Sequence, residues 1–158
     1  MFRVRPFEEK DRSVLETIYR ECRAEATWLP SVVKEKSDFA RDTEGEALLV
    51  AVRSDDEPVG FVSVWMPDAF LHHLYVRSGS RQKGIGKGLL NALGARLPMP
   101  WKLKCLRAND GAFAFYLNQG WREVSSDVGE DGPFAVLEKQ ETQHSTGHLR
   151  ACRRRAAS

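Results

Sequence analysis

The stretch LHHLYVRSGSRQKGIGKGLL, residues 71–90, joins two apolar runs through a segment rich in glycine and cations. Residues 69–77 are typical of a buried strand, and apolar residues at helical spacing from Ile85 to Leu97 predict an amphipathic helix. A glycine-rich turn between a strand and a helix favours anion binding, because the first amides of a helix lack internal partners. The glycine segment is therefore a candidate anion site, where a phosphate could approach the backbone.

Two common phosphate-binding motifs do not fit this glycine segment. A P-loop would need lysine where Ile85 stands, and a dinucleotide-binding motif would need its third glycine where Leu89 stands. The pattern that remains is R-x-x-G-x-G, formed by Arg81, Gly84 and Gly86. By itself this pattern is equally compatible with a tight strand-to-helix turn whose cations are solvated.

The flanking sequence predicts an α/β (mixed α+β) fold with the order β-α-α-β-β-β-α-β-α-β-β. Strands 69–77 and 101–107 lie on either side of a crossover helix, so we expect them to run parallel. The other predicted strands are residues 2–6, two runs around the turn SDDEP at 54–58, and residues 121–126 and 134–139. The other predicted helices are residues 8–23, 31–41 and 109–120.

Composition limits the classes of protein to which the chain can belong. Its 158 residues suit one domain over residues 1–140, followed by a basic and flexible tail over residues 141–158. The tail carries a net charge of +3 and leaves −1 for the rest, which argues against nucleic acid as a partner. No apolar stretch predicts a membrane span. Three distant cysteines form neither a disulfide framework nor a zinc motif, so we expect a cytoplasmic protein without a metal.

Residues 71–90, followed by NDGAFAFYLNQGW at 109–121, resemble the GNAT superfamily of acyl-CoA-dependent N-acyltransferases. The resemblance implies a mixed, mostly antiparallel central sheet of about seven strands, with a splayed parallel pair and flanking helices, and it leaves a homodimer open. The second segment matches the family pattern N-x-x-A-x-x-F-Y-x-x-x-G-[FW] at Asn109, Ala112, Phe115, Tyr116, Gly120 and Trp121.

The resemblance further implies acetyl-CoA as the acyl donor, with its pyrophosphate on the amides of residues 82–88. Its pantetheine arm would pair with the exposed edge of the strand near Leu74 and Val76. Asn109 could contact this arm, cap its helix, or do both. The implied cofactor-binding residues are Leu74, Val76, Arg81, Gln82, Lys83, Gly84, Ile85, Gly86, Lys87, Gly88, Asn109 and Phe115.

Tyr116 is the candidate acid, because a phenol with an ordinary pKa of about 10 can protonate a departing thiolate. A packed core aromatic is the alternative for this residue. His72 and His73 are candidate bases, since a histidine with a pKa of about 6.5 suits proton removal from an amine. Neighbouring strand residues face opposite ways unless a β-bulge intervenes. We therefore expect only His72, on the face of Leu74 and Val76, to reach the cleft.

The function implied by the resemblance is transfer of an acetyl group to a primary amine, by direct attack in a ternary complex. The acceptor would be a small molecule or a peptide, and a non-catalytic module that senses acyl-CoA is the alternative. Trp28, Trp65 and Phe70 are candidates for the acceptor pocket, and Asp68 for contact with a cationic amine. Core packing explains the three aromatic residues at least as well, and for Asp68 a solvated position in the loop is the preferred interpretation.

Overall fold

The computed structural model describes residues 1–27 and 29–141, in which seven strands form one sheet. All neighbouring strands are antiparallel except one parallel pair, the fourth and fifth strands, which confirms the predicted mixed sheet. The strands are β1 (Phe2–Pro6), β2 (Ala47–Arg53), β3 (Pro58–Trp65), β4 (Phe70–Val76), β5 (Trp101–Leu106), β6 (Arg122–Gly129) and β7 (Gly132–Lys139), in the spatial order β1-β2-β3-β4-β5-β7-β6.

Helices cover both faces of the sheet. The single helix predicted at residues 31–41 is instead two short helices, because the Asp38 side chain accepts the Arg41 amide and starts a new helix there. The helix after the glycine segment ends before the prolines. The helices are α1 (Arg12–Glu25), α2 (Ser31–Glu35), α3 (Phe39–Asp42), α4 (Ile85–Leu93) and α5 (Asp110–Asn118).

Alternation along the strands divides the core into two layers. On β2, Val50 and Val52 pack with α1, whereas Leu49 and Ala51 pack on the opposite face with α4. Because both faces are covered, β2 and β3 are almost wholly buried. None of the helices among the described residues is long and apolar enough to cross a membrane. Trp28 and residues 142–158, which hold most of the predicted basic tail, lie outside the described residues.

A β-bulge interrupts β4 at the two histidines. Ser63 on β3 pairs with His73, but the next pair joins Val64 to Leu71, so His72 has no partner on β3. The expectation of strict alternation across this strand is therefore wrong. The extra residue shifts the alternation by one position, as a bulge does.

The bulge changes which residues share a face of β4. Leu71 packs in the same core as Leu74 and Val76, although strict alternation along the strand would put it on the opposite face. His73 lies on the face of α1, with its ring centroid 5.3 Å from that of Tyr19. The two apolar layers thus remain intact, and His72 is the additional residue that the bulge accommodates.

β4 and β5 pair over only two residues each, Phe70 with Lys102 and Leu71 with Leu103. Beyond this point the strands separate, which confirms the predicted splayed parallel pair. The Arg77 amide donates to the Val59 carbonyl of β3 at 2.8 Å. Since antiparallel residues bond to a given neighbour alternately, the backbone groups of residues 74 and 76 point to the open side, towards β5.

Candidate active site

Two cavities open where β4 and β5 separate. The first, about 580 Å³, extends from α1 across β4 to β5 and α5. The second, about 530 Å³, extends from β4 along the glycine segment. Leu74, Ala112 and Tyr116 line both cavities, so the two adjoin at these residues.

The glycine segment presents free amides to the second cavity. Gly84 begins α4 with a φ of +80°, a conformation that glycine adopts without steric cost. Gln82 also has a positive φ of +61°, which is strained for a residue with a side chain and is common in functional loops. The Gly88 amide already donates to the Gly84 carbonyl at 2.9 Å. The helix amides that lack a partner within the helix are therefore those of residues 85–87. The amide of Gly88, the last residue of the predicted stretch 82–88, is already bonded and does not belong to the site.

Most of the predicted cofactor-binding side chains line the second cavity. Four do not: Lys83 is exposed, Ile85 is buried in the core, Gly88 faces Phe2, and Asn109 lines the first cavity. A Cβ at Gly88 would lie 2.7 Å from two ring atoms of Phe2, so packing of α4 on β1 explains this glycine. The predicted residues that do line this cavity are Leu74, Val76, Arg81, Gln82, Gly84, Gly86, Lys87 and Phe115.

Arg81 ties the end of β4 to α1. Its Nε donates to the Val76 carbonyl at 2.9 Å, and its guanidinium pairs with Glu25 at 2.9 Å. The same guanidinium lies 3.4 Å from the Cys22 thiol. Arg81 therefore shares its charge with Glu25, whereas Lys87 adds a second cation to the lining of the cavity.

Asn109 caps α5, because its side chain accepts the Ala112 amide at 3.2 Å. The residue also lines the first cavity. The cap is thus observed, and contact with a pantetheine arm stays a prediction.

Tyr116 is buried where the two cavities adjoin. Its ring packs edge-on against Phe115 and Trp121, with centroid distances of 5.3 and 5.4 Å. Burial raises the pKa of Tyr116 above its ordinary value, which keeps the phenol protonated. Burial likewise raises the pKa of the Cys105 thiol, in the same cleft, to about 11. A thiolate formed here would also be disfavoured by burial and would readily take up a proton.

Both histidines line the first cavity, so the expectation that only one of them reaches it is wrong. His73 is the more buried of the two, and its Nε2 lies 3.3 Å from the Asp42 carbonyl oxygen. Burial lowers the pKa of His73 to about 4, so the ring is neutral at physiological pH. This ring stacks on Tyr75, with centroids 6.0 Å apart.

His72 is 41% exposed, and its Nδ1 contacts a carboxylate oxygen of Glu46. Partial burial lowers the pKa of His72, and the nearby carboxylate acts in the opposite direction when it is ionised. The ring also packs against Phe70, at 5.0 Å between centroids. Contrary to expectation, the bulge removes His72 from the face of Leu74 and Val76 and brings it beside His73.

Glu46 is a residue of this site that the sequence did not reveal. It lies in the turn between α3 and β2, 26 residues before His72. No motif joins the two positions, and a lone glutamate before a strand is ordinarily solvated. The only available signal was that a glutamate stands immediately before an apolar strand.

The candidates for the acceptor pocket are placed differently from one another. Phe70 lines the first cavity. Trp65 and Asp68 are exposed and do not line it, and Trp65 instead lies against Gly45. Trp28 is outside the described residues.

Within residues 1–27 and 29–141, no three His, Cys, Asp or Glu side chains are grouped as metal ligands would be.

Comparisons with known proteins agree with this architecture. Residues 11–136 match the family profile described as an acetyltransferase (GNAT) domain. No curated protein sequence matches the chain. Similar solved structures include apo YjaB from Escherichia coli, which is 21% identical with a TM-score of 0.73, over 87% of this chain and 97% of that one.

Two further similar structures contain coenzyme A or its acetyl ester. PaiA N-acetyltransferase from Thermoplasma acidophilum, in complex with coenzyme A, is 20% identical with a TM-score of 0.72, over 89% of this chain and 99% of that one. A phosphinothricin acetyltransferase from Sinorhizobium meliloti, in complex with AcCoA, is 20% identical with a TM-score of 0.62, over 90% of this chain and 89% of that one. These likenesses show the fold, and the profile match over most of the sequence shows the family. The chain belongs to the GNAT family of acetyltransferases.

Proposed function

We propose that this protein is an N-acetyltransferase that moves an acetyl group from acetyl-CoA to a primary amine. One observation carries the proposal: the cavity along the glycine segment and the cavity beneath the histidines adjoin at Tyr116 and Leu74. A donor and an acceptor that enter from opposite sides would therefore meet beside an acid and a base. Such an arrangement suits direct transfer in a ternary complex.

The cavity along the glycine segment fits the donor, a CoA ester. Free amides at residues 85–87 and the Lys87 ammonium suit the pyrophosphate. The open edge of β4 offers backbone groups of Leu74 and Val76 to the two amides of a pantetheine arm. The Val76 carbonyl already accepts from Arg81, so the Val76 amide and the Leu74 carbonyl are the free partners for the arm.

The acceptor side supplies the base. His72, directly or through a water molecule, takes a proton from the ammonium of the acceptor, and the neutral amine attacks the thioester carbonyl carbon. The Leu74 amide, on the open edge, donates to the oxyanion that forms. His73 is the weaker base of the two, because burial holds its pKa at about 4.

Collapse of the tetrahedral intermediate breaks the carbon–sulfur bond, and the CoA thiolate takes the proton of the Tyr116 hydroxyl. The nitrogen loses its second proton to water as the amide forms, and Tyr116 regains a proton from water. An ordinary phenol is less acidic than an ordinary thiol by about 1.5 pKa units. Burial raises the pKa of Tyr116, and it would also raise the pKa of a thiol beside it, as it does for Cys105, so the departing thiolate is more basic in the cleft than in water. The free, buried Cys22 and Cys105 suit a reducing compartment, and we place the reaction in the cytoplasm.

A screen of amines tests the proposed activity. The full chain is mixed with acetyl-CoA and a panel of small amines, amino acids and peptides with free N-termini, and the release of thiol is followed. We expect release that depends on the acceptor, with one acetylated amine formed per thiol by mass spectrometry. Binding of acetyl-CoA without turnover on any acceptor would instead support the non-catalytic sensing module.

Tyr116→Phe should lower kcat by about tenfold to a hundredfold and leave the affinity for CoA within about twofold of the wild type. The change deletes one hydroxyl and keeps the ring that packs on Phe115 and Trp121. Steady-state kinetics on a working acceptor, with calorimetry for CoA, would measure both effects. Phe113→Leu in the same helix is a control for general disturbance of α5. An unchanged kcat in Tyr116→Phe would make this tyrosine a packing residue.

A further inference from the structure

Glu46 is buried beside the candidate base with a single polar partner. Its side chain is only 3% exposed, and one carboxylate oxygen contacts Nδ1 of His72. The other oxygen, Oε1, is buried and has no hydrogen-bond partner among the described residues. A carboxylate that loses water must be compensated by the groups it touches. Here that compensation depends on His72.

The contact determines which nitrogen of His72 carries a proton. An ionised carboxylate only accepts hydrogen bonds, so Nδ1 must donate to it and therefore be protonated. In the neutral ring Nε2 is then the unprotonated nitrogen, in a side chain that lines the first cavity. A carboxylate behind a histidine is a general means of selecting the tautomer and orienting the ring.

We propose that Glu46 is a positioning residue that holds His72 in the Nδ1-protonated tautomer, with Nε2 free to take the proton of the acceptor. The inference rests on the proposed role of His72 as base. The bulge in β4 makes the pairing possible, because it turns the surplus residue out of the alternation of the strand. The Phe70 ring, 5.0 Å from that of His72 between centroids, supports the ring from the same strand.

The groups around His72 are compatible with this assignment. Glu46 faces it from the turn before β2, and His73 lies beside it on β4, at 6.1 Å between ring centroids. His73 is neutral at physiological pH and does not compete for the carboxylate. Arg23 and Asp42 lie near His73 and influence the pKa of that ring. Glu46 is thus the carboxylate in contact with His72.

The pair can be tested without any acceptor, by NMR of the ring nitrogens in the full chain with ¹⁵N-labelled histidine. His72→Ala assigns the signals. In the wild type we expect His72 to be protonated on Nδ1 at neutral pH. Glu46→Gln removes the charge at constant size, so it should lower the pKa of His72, while its amide oxygen can still accept from Nδ1. Glu44→Gln makes the same charge change two residues away at an exposed position, and it should leave His72 unchanged.

Two NMR results would overturn the proposal. The first is a wild-type His72 protonated on Nε2 at neutral pH. The second is a pKa of His72 that is the same in Glu46→Gln as in the wild type. Far-UV circular dichroism and thermal unfolding would show that the variant remains folded. Because this measurement needs no turnover, it separates failure of the pair from failure of the proposed transferase activity.

Kinetics distinguish positioning of the base from binding of the acceptor. Glu46→Gln should lower kcat by about tenfold or more, with KM for the acceptor and Kd for CoA within about twofold of the wild type. When Glu46→Gln is added to His72→Ala, kcat should not fall further, because Glu46 acts through the His72 ring. Glu46→Asp, which keeps the charge, should recover part of the activity. If Glu46→Gln raised the KM for the acceptor both in the wild type and in His72→Ala, Glu46 would be an acceptor ligand and the positioning role would be overturned.

Discussion

Gly86→Asp is expected to weaken CoA binding by about a hundredfold or more, which corresponds to about 2.7 kcal/mol. The new Cβ would lie 3.2 Å from Cζ of Phe115, inside the cavity along the glycine segment. The new carboxylate would repel the pyrophosphate and occupy the space before the free amides of residues 85–87. Isothermal titration calorimetry with CoA on the folded variant measures the change.

Gly79→Asp is the matched control for this experiment. Gly79 precedes the same segment, has open space around the position of a new Cβ, and does not line the cavity. The same added charge should therefore change the CoA affinity by less than about threefold. If Gly86→Asp binds CoA as the wild type does, the pyrophosphate site at α4 is wrong. If both variants lose affinity equally, net charge and not the site explains the loss.

His72→Ala should lower kcat/KM by about a hundredfold and remove the acid limb of its pH profile. A base acts in its unprotonated form, so the rate falls as pH decreases through the pKa of His72. Partial burial moves this limb below the ordinary histidine value of about 6.5, and the Glu46 carboxylate opposes that shift. Steady-state kinetics from about pH 5 to pH 9 with one acceptor would measure the limb.

His73→Ala is the comparison that assigns the base. His73 would titrate near pH 4, below the limb, and it lies against the Asp42 carbonyl. The limb should therefore survive in this variant, even if packing beside Tyr19 is weakened. A limb that survives in His72→Ala and disappears in His73→Ala would reverse the roles. A limb unaffected by either change would mean that ionisation of the acceptor sets the profile.

The donor side of the site was predictable because its signals are local. A glycine turn before an amphipathic helix leaves amides free wherever that helix packs, and Asn109 caps the helix that follows it in sequence. The extent of the amide site was less predictable. The helical bond from Gly88 to Gly84 and the approach of Phe2 are tertiary details that assign Gly88 to packing.

The acceptor side was not predictable from the sequence, because its geometry depends on the register between two strands. The pairing of Ser63 with His73 and of Val64 with Leu71 keeps apolar side chains in both core layers, and it leaves His72 as the surplus residue. Alternation along the sequence cannot reveal a bulge that is decided by burial on a neighbouring strand.

The family and the mixed sheet with its splayed parallel pair could both be predicted from the sequence, which also indicated the glycine segment as the candidate anion site. These features follow from periodicity, from the handedness of the crossover and from motifs of contiguous residues. The placement of both histidines at the same cavity, and the contact of Glu46 with His72, became visible in the folded chain alone. The physical reason is that the cost of burying a carboxylate depends on its neighbours in space, which in this site are 26 residues apart in the chain.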